Sequence, residues 1–292
     1  MADDTSKLPR VAPPRIFPAA TRAGKPPVDA AGSADAYRQT TFVLGKDIDL
    51  LLRGFALESA IAEASSDGKH RTQRMAAGLG LWSRAWLTRL EAMHALEWGN
   101  YVAAVALVRA ATDYQAGGLY ILRDGAAEWT EWLAQGGIVV NAVAHATEYR
   151  LHAFRAAEVL AAHDILGPVY RASMDLSLSH FGSTLLLVGS DSTPERVLMT
   201  FGDRDFHLGL AELVSGWLLL LSVAQLEAAA EFATVFAVPD AAALEAFNRE
   251  ARAAVADPNR CRLEATELDD EKRYLVHNWR RQPGAAPKRL LL

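Results

Sequence analysis

The sequence predicts an all-α protein: a bundle of long antiparallel helices carrying a disordered proline-rich N-terminal tail. Three observations lead there. Ala, Leu, Glu and Arg, all strong helix formers, dominate the chain beyond residue 34. Apolar residues recur at steps of three and four, as Ile48, Leu51, Leu52, Phe55, Leu57 and Ile61 do in "DIDLLLRGFALESAIAEA". No convincing run alternates apolar and polar residues as a half-buried strand does. The one β-branched cluster, "GGIVVNAV", flows into helix-like sequence.

The elements are justified in chain order. Six of the 12 prolines are Pro9, Pro13, Pro14, Pro18, Pro26 and Pro27, so residues 1–34 cannot bury much surface and are expected as a disordered or extended arm. Such an arm suits wrapping around a sister subunit or a protein partner. Helices are expected over 35–65, 71–98, 100–123, 126–135, 138–163, 166–181, 193–202, 204–237, 239–256 and 264–280. Gly99-Asn100 separates the second from the third, and Gly167-Pro168 follows "AAHDIL". Ser192 or Thr193 can cap the helix at 193–202, with Pro194 in its first turn and Glu195 near its positive end. Asp240 can cap the helix at 239–256. The helical domain thus spans 35–280, and 281–292 reads as a C-terminal tail.

Bulk properties narrow the function. The chain has 292 residues, enough for one large domain or two small ones. Its net charge of −5 gives no basic excess of the kind that advertises nucleic-acid binding. Cys261 is the single cysteine, so no disulfide forms within the chain and a cysteine-based zinc site is disfavoured. A lone thiol fits a reducing compartment, and the cytoplasm is the expected location. The opening "MADDTSKLPR" has acids first and no apolar core of a signal peptide. The apolar run from Leu210 to Val238 is interrupted by Glu212, Gln225, Glu227 and Glu231, so it is expected as a core helix and not a membrane span.

Chemistry-bearing residues fall into three groups. Arg109 and Asp113 sit four residues apart in "ALVRAATDYQAGGLYIL", on one face of a helix rich in alanine. A central helix would bury them, and buried charges must be paired. His180, in "DLSLSHFGSTLLL", stands at an expected helix end near Ser177, Ser179 and Ser183. It could serve as a general base or cap a negative helix C-terminus. Glu91 and His94 have the Glu-x-x-His spacing of di-iron bundles, and His145, Glu148 and His152 share one helix face, which makes these five weak metal-ligand candidates. Neither "AGGL" nor "QGGI" has the strand, loop and lysine of a phosphate cradle, and no Gly-x-Ser-x-Gly elbow occurs. No cofactor is implied.

The stretch "HALEWGNYVAAVALVRAATDYQAGGLYILRD", followed by "WTEWLAQGG", resembles uncharacterised bacterial all-helical proteins related to the HEPN superfamily. The resemblance spans about residues 45–235. Arg109 and Asp113 match an arginine and an acid one turn apart, with Asp where Glu is more usual. Tyr170, Ser177 and His180 match a later Tyr, Ser and His. The resemblance implies a helical bundle, often a homodimer, and in many members metal-free cutting of RNA by an Arg and a His. The compact Arg-x4-6-His motif is matched literally only by Arg89 and His94, in an early helix. Arg109 and His180 would have to meet in space.

Three functions are therefore expected in competition. The first is a helical-bundle protein acting through self-association or partner binding, with Trp82, Trp86, Trp98, Trp129 and Trp132 as interface candidates. The second is a metal-independent ribonuclease using Arg109, Asp113 and His180 in stress or phage defence, with RNA as partner. The third is a metal-dependent bundle enzyme. All three are compatible with a homo-oligomer.

Overall fold

The computed structural model describes residues 8, 10–17, 20–30, 32–66, 72–124, 127–134, 153–193, 195–268 and 271–292. Ten helices are described: α1 (Ser33–Val43), α2 (Gly45–Ser66), α3 (Gln73–Glu97), α4 (Tyr101–Asp124), α5 (Ala127–Ala134), α6 (Ala153–Ala162), α7 (Leu166–Ser177), α8 (Phe181–Val188), α9 (Leu208–Glu231) and α10 (Ala241–Val255). Three strands close the chain: β1 (Arg262–Leu268), β2 (Glu271–Trp279) and β3 (Lys288–Leu291). They form one antiparallel sheet in the order β1-β2-β3. The protein is thus mostly helical, but not all-α.

α9 is the axis of the bundle. Nearly all its residues from Leu208 to Ala229 are buried, on every face, as expected of a helix surrounded by others. It is apolar and long enough to cross a membrane, yet 83% of its most apolar window is buried inside the fold. α3 and α4 pack as an antiparallel pair across the Gly99 turn. α4 and α9, by contrast, run parallel. Tyr101 pairs with His207, Gln115 Nε2 donates to Leu221 O, and Arg123 meets Glu231. Purely antiparallel packing therefore does not hold, because α5 to α8 intervene and return the chain to its starting end.

Four expected elements are corrected. The helix at 264–280 is the β1–β2 hairpin, in register from Arg262↔His277 to Leu268↔Glu271. The inward side chains Val276 and Trp279 are buried, and Trp279 lies against Gly209 of α9. The expected tail at 281–292 contributes β3, and Tyr274 and Leu292 exchange both backbone hydrogen bonds. No helix forms over 193–202 among the described residues. Thr193 Oγ1 accepts from Glu195 N, and Ser192 Oγ bonds both N and O of Leu198, so the hydroxyls build a local turn in place of a cap. The long helix at 35–65 breaks at Leu44, just before Gly45. The expected helix at 138–163 is described only as α6; its earlier part lies outside the described residues. Asp240 caps α10 as expected, accepting from Ala243 N at 2.8 Å.

The described part of the arm is tied to the end of α3. Buried Glu97 accepts from Arg22 Nε at 2.8 Å and from Ala23 N at 2.7 Å. Trp98 Nε1 donates to Gly24 O, and the His94 Nε2–H donates to Thr21 O. Where the sequence suggests a disordered arm, this stretch is anchored, because a buried carboxylate in α3 needs the donors it supplies.

His207 caps α9 with Nδ1 accepting from Leu210 N, and its ring packs tilted against Trp279, 4.3 Å between ring centres. Burial pushes its pKa down to about 3. Its ordinary value is about 6.5, so below that pH the unfolded chain takes up a proton that the folded chain refuses. Stability from this group is complete above pH 6.5 and falls as pH drops towards 3, by about 1.4 kcal/mol per pH unit. His207→Asn keeps a capping acceptor and should flatten the acid limb of a thermal stability curve between pH 6.5 and 4. An unchanged slope in that variant would remove His207 from the account.

Candidate functional site

The residues singled out in the sequence do not assemble into one centre. Arg109 and Asp113 lie half-buried on α4. Burial pushes the Asp113 carboxyl up, and the nearby Arg109 charge opposes that shift. No hydrogen bond or salt bridge joins the two among the described residues, and Arg109 Nε is buried without a partner. They are neighbours on a helix, not the paired charges of the core.

His180 is exposed, and it caps the start of α8 and not the end of α7. Its Nδ1 accepts from Gly182 N at 3.1 Å and from Ser183 N at 3.4 Å. The lone pair a general base would use is thereby engaged, which places the neutral ring's proton on Nε2. Among the described residues no hydrogen bond or ion pair links His180 to Arg109 or Asp113. Tyr170 and Ser177 belong to α7, and the Ser177 hydroxyl is turned to Met174 O.

The metal candidates fare similarly. Glu91 is exposed, 3.7 Å from His94 Nδ1, while the other ring nitrogen of His94 holds the arm. His145, Glu148 and His152 lie outside the described residues. Among the described residues no group of three His, Cys, Asp or Glu is arranged to hold a metal.

A buried charge pair does exist, between α2 and α3. Arg89 and Glu58 are both fully buried and joined by two hydrogen bonds, one of 2.8 Å from Arg89 Nη1 to Glu58 Oε1. Arg89 Nη1 also donates to Ser222 Oγ of α9 at 2.9 Å. Trp82 Nε1 donates to Glu58 Oε2 at 2.7 Å, and the Arg89 guanidinium lies 5.5 Å from the Phe55 ring centre. Every oxygen of Glu58 is satisfied, as a charge removed from water requires. The sequence held the signal: Glu58 interrupts the apolar stripe of Phe55 and Ile61, and Arg89 interrupts that of Ala85 and Met93. Opposite charges on the core faces of neighbouring helices belong together.

Beside this pair lies a cavity of about 420 Å³. α2 gives Glu58, Ser59 and Ala62; α3 gives Leu79, Gly80, Trp82 and Trp86; the arm closes it from Val11 to Phe17. Trp82 and Trp86, expected at an interface, instead form its floor, with Trp86 packed edge-on against Phe55 at 5.4 Å. The arm's anchors at Arg22 and Ala23 lie outside the cavity wall. The space, mostly apolar with a few polar groups and backed by a fixed charge pair, has the character of a small-molecule site.

No protein-family model matches the chain, and no curated protein or solved structure matches it either.

Proposed function

We propose that this chain is a cytoplasmic binding protein, and that it takes up a small, largely apolar molecule in the cavity between α2, α3 and the arm. The cavity of about 420 Å³ with its two tryptophans carries this reading; its volume lies within the range of roughly 300–1,000 Å³ usual for ligand sites. Gly80 offers a direct test. A Cβ there meets nothing within 4 Å, so Gly80→Phe extends into the open space. A neutral fluorescent probe, N-phenyl-1-naphthylamine, should bind the parent and lose at least tenfold in affinity in the variant. The variant should also be slightly more stable, by about 0.3–0.5 kcal/mol from helix propensity alone. Equal probe affinity in both proteins would end the proposal.

Self-association is the second reading, favoured by a different observation. Phe181 is 92% exposed and Phe201 fully exposed, beside the exposed Val197 and Met199. Thr200 N donates to Val188 O, which ties the segment after α8 to that helix's C-terminal end, with Phe181 at its first residue. Exposed apolar side chains of this size mark association sites. Phe181→Asp with Phe201→Asp should convert a dimer to a monomer in sedimentation at 10–50 µM (a range on the order of typical interface affinities). A parent already monomeric there would remove this reading.

Metal-free cutting of RNA through Arg109, Asp113 and His180 draws less support, since His180 spends its lone pair on a helix cap. Cleavage of tRNA in EDTA that disappears in His180→Ala would restore it.

A further inference from the structure

A second cavity, of about 310 Å³, lies between α7, α9 and the β1–β2 sheet. It does not touch the site under the arm, and its chemistry is different. One wall is apolar, with Leu213, Trp217 and Leu220 of α9. The other holds three arginines, Arg171, Arg260 and Arg262.

Most of the charged groups around it already have partners, but two of the lining arginines form no ion pair among the described residues. Arg260, more than nine-tenths buried, bonds Asp47 at 2.6 Å, Glu212 O at 3.0 Å and Ser215 Oγ through Nε and Nη2. Glu212 is answered by Arg280 at 3.1 Å and by Cys261 N at 2.8 Å. Asp175 is taken by the Tyr274 hydroxyl, and Glu264 by His277. Arg171 and Arg262 have no acidic partner among the described residues. Arg260 and Trp217 also line the space, and Arg260 Nη1 and the Trp217 indole N–H, neither of them sealed from solvent, have no protein acceptor among the described residues.

We propose that this cavity binds a small amphipathic anion. Its head accepts from the Arg260 guanidinium, with Arg171 and Arg262 supplying the neutralising charge, and its apolar body lies along Trp217 and Leu220. A planar guanidinium with a free N–H suits carboxylate and phosphate alike.

The test uses the full chain carrying Gly80→Phe, which closes the other cavity, so that failure here and failure of the reading above remain separate. Octanoate, octyl phosphate and octan-1-ol are titrated by calorimetry. At least one anion should bind, the preferred anion identifying the head group, and octanol should bind at least tenfold more weakly. Arg171→Gln with Arg262→Gln, both at exposed positions, should weaken the anion at least tenfold with folding intact by circular dichroism. Ala265→Trp, on the exposed face of β1, should block the cavity without altering its charge and abolish binding. Octanol binding as tightly as the anions, anion binding unchanged in these variants, or no binding by either anion up to millimolar concentration would each overturn the proposal.

Discussion

Replacing Arg89 by Met should cost about 3–5 kcal/mol of folding stability, because it leaves a charge buried without its partner. Glu58 would keep the Trp82 indole as a donor but lose both guanidinium hydrogen bonds, and it is fully enclosed by α2, α3 and α9. For a chain of this size that loss lowers the melting temperature by on the order of 10 °C. The informative comparison is the double variant Glu58→Gln with Arg89→Met. It removes both charges, keeps an acceptor for Trp82, and should recover most of the loss, since a neutral replacement of a buried pair is often close to isoenergetic. Thermal melts of the three proteins decide the matter. A single variant within 1 kcal/mol of the parent (about the ordinary size of a point-mutant effect) would show that the pair is not buried in solution.

Gly99→Ala should be nearly as damaging, for a backbone reason. Gly99 has φ +69°, and a Cβ there would come within 2.2 Å of Arg204 O and 2.9 Å of the Ala36 side chain. The left-handed conformation costs a non-glycine residue about 1–2 kcal/mol. Overpacking adds about 1–3 kcal/mol. The turn between α3 and α4 is therefore pressed against the segment leading into α9, and a methyl group cannot enter without separating them. Chemical denaturation should show a loss of about 2–5 kcal/mol, the sum of those two terms. Hydrogen exchange should show it first at residues 201–207. A neutral effect would mean that this segment already stands away from Gly99.

These two positions also show what the sequence disclosed. The helices carried by three- and four-residue periodicity, α2 to α4 and α9 to α10, were legible, as were the cap at Asp240 and the buried character of α9. The sheet was not. "RLEATEL" is built from good helix formers, and its strand conformation comes from pairing with β2 and from Trp279 packing on Gly209, both of which are tertiary. The cap-like hydroxyls at Ser192 and Thr193 satisfied one another's neighbours and no helix followed. The Gly99 turn was visible as a break, but its contact with Arg204 was not. For the site, composition pointed to tryptophans and an arm, while the geometry joined them to Glu58 and Arg89. Attention fell on Arg109 because an i,i+4 pair is conspicuous along a chain. Glu58 and Arg89 lie 31 residues apart and are joined only by packing.

The parallel register of α4 and α9 has a consequence for how the chain is made. Gln115 and Leu221, which hold the two helices together, are separated by 106 residues. At about 5–20 residues per second, synthesis of the second follows the first by about 5–20 s. During that interval α4 is finished, and the face meant for α9 stays uncovered, with Arg89 still lacking Ser222 and Gln115 lacking its carbonyl. The most apolar helix of the protein is the last long one needed to seal its oldest part, so the nascent chain passes through a sticky, half-closed stage that the finished fold no longer betrays.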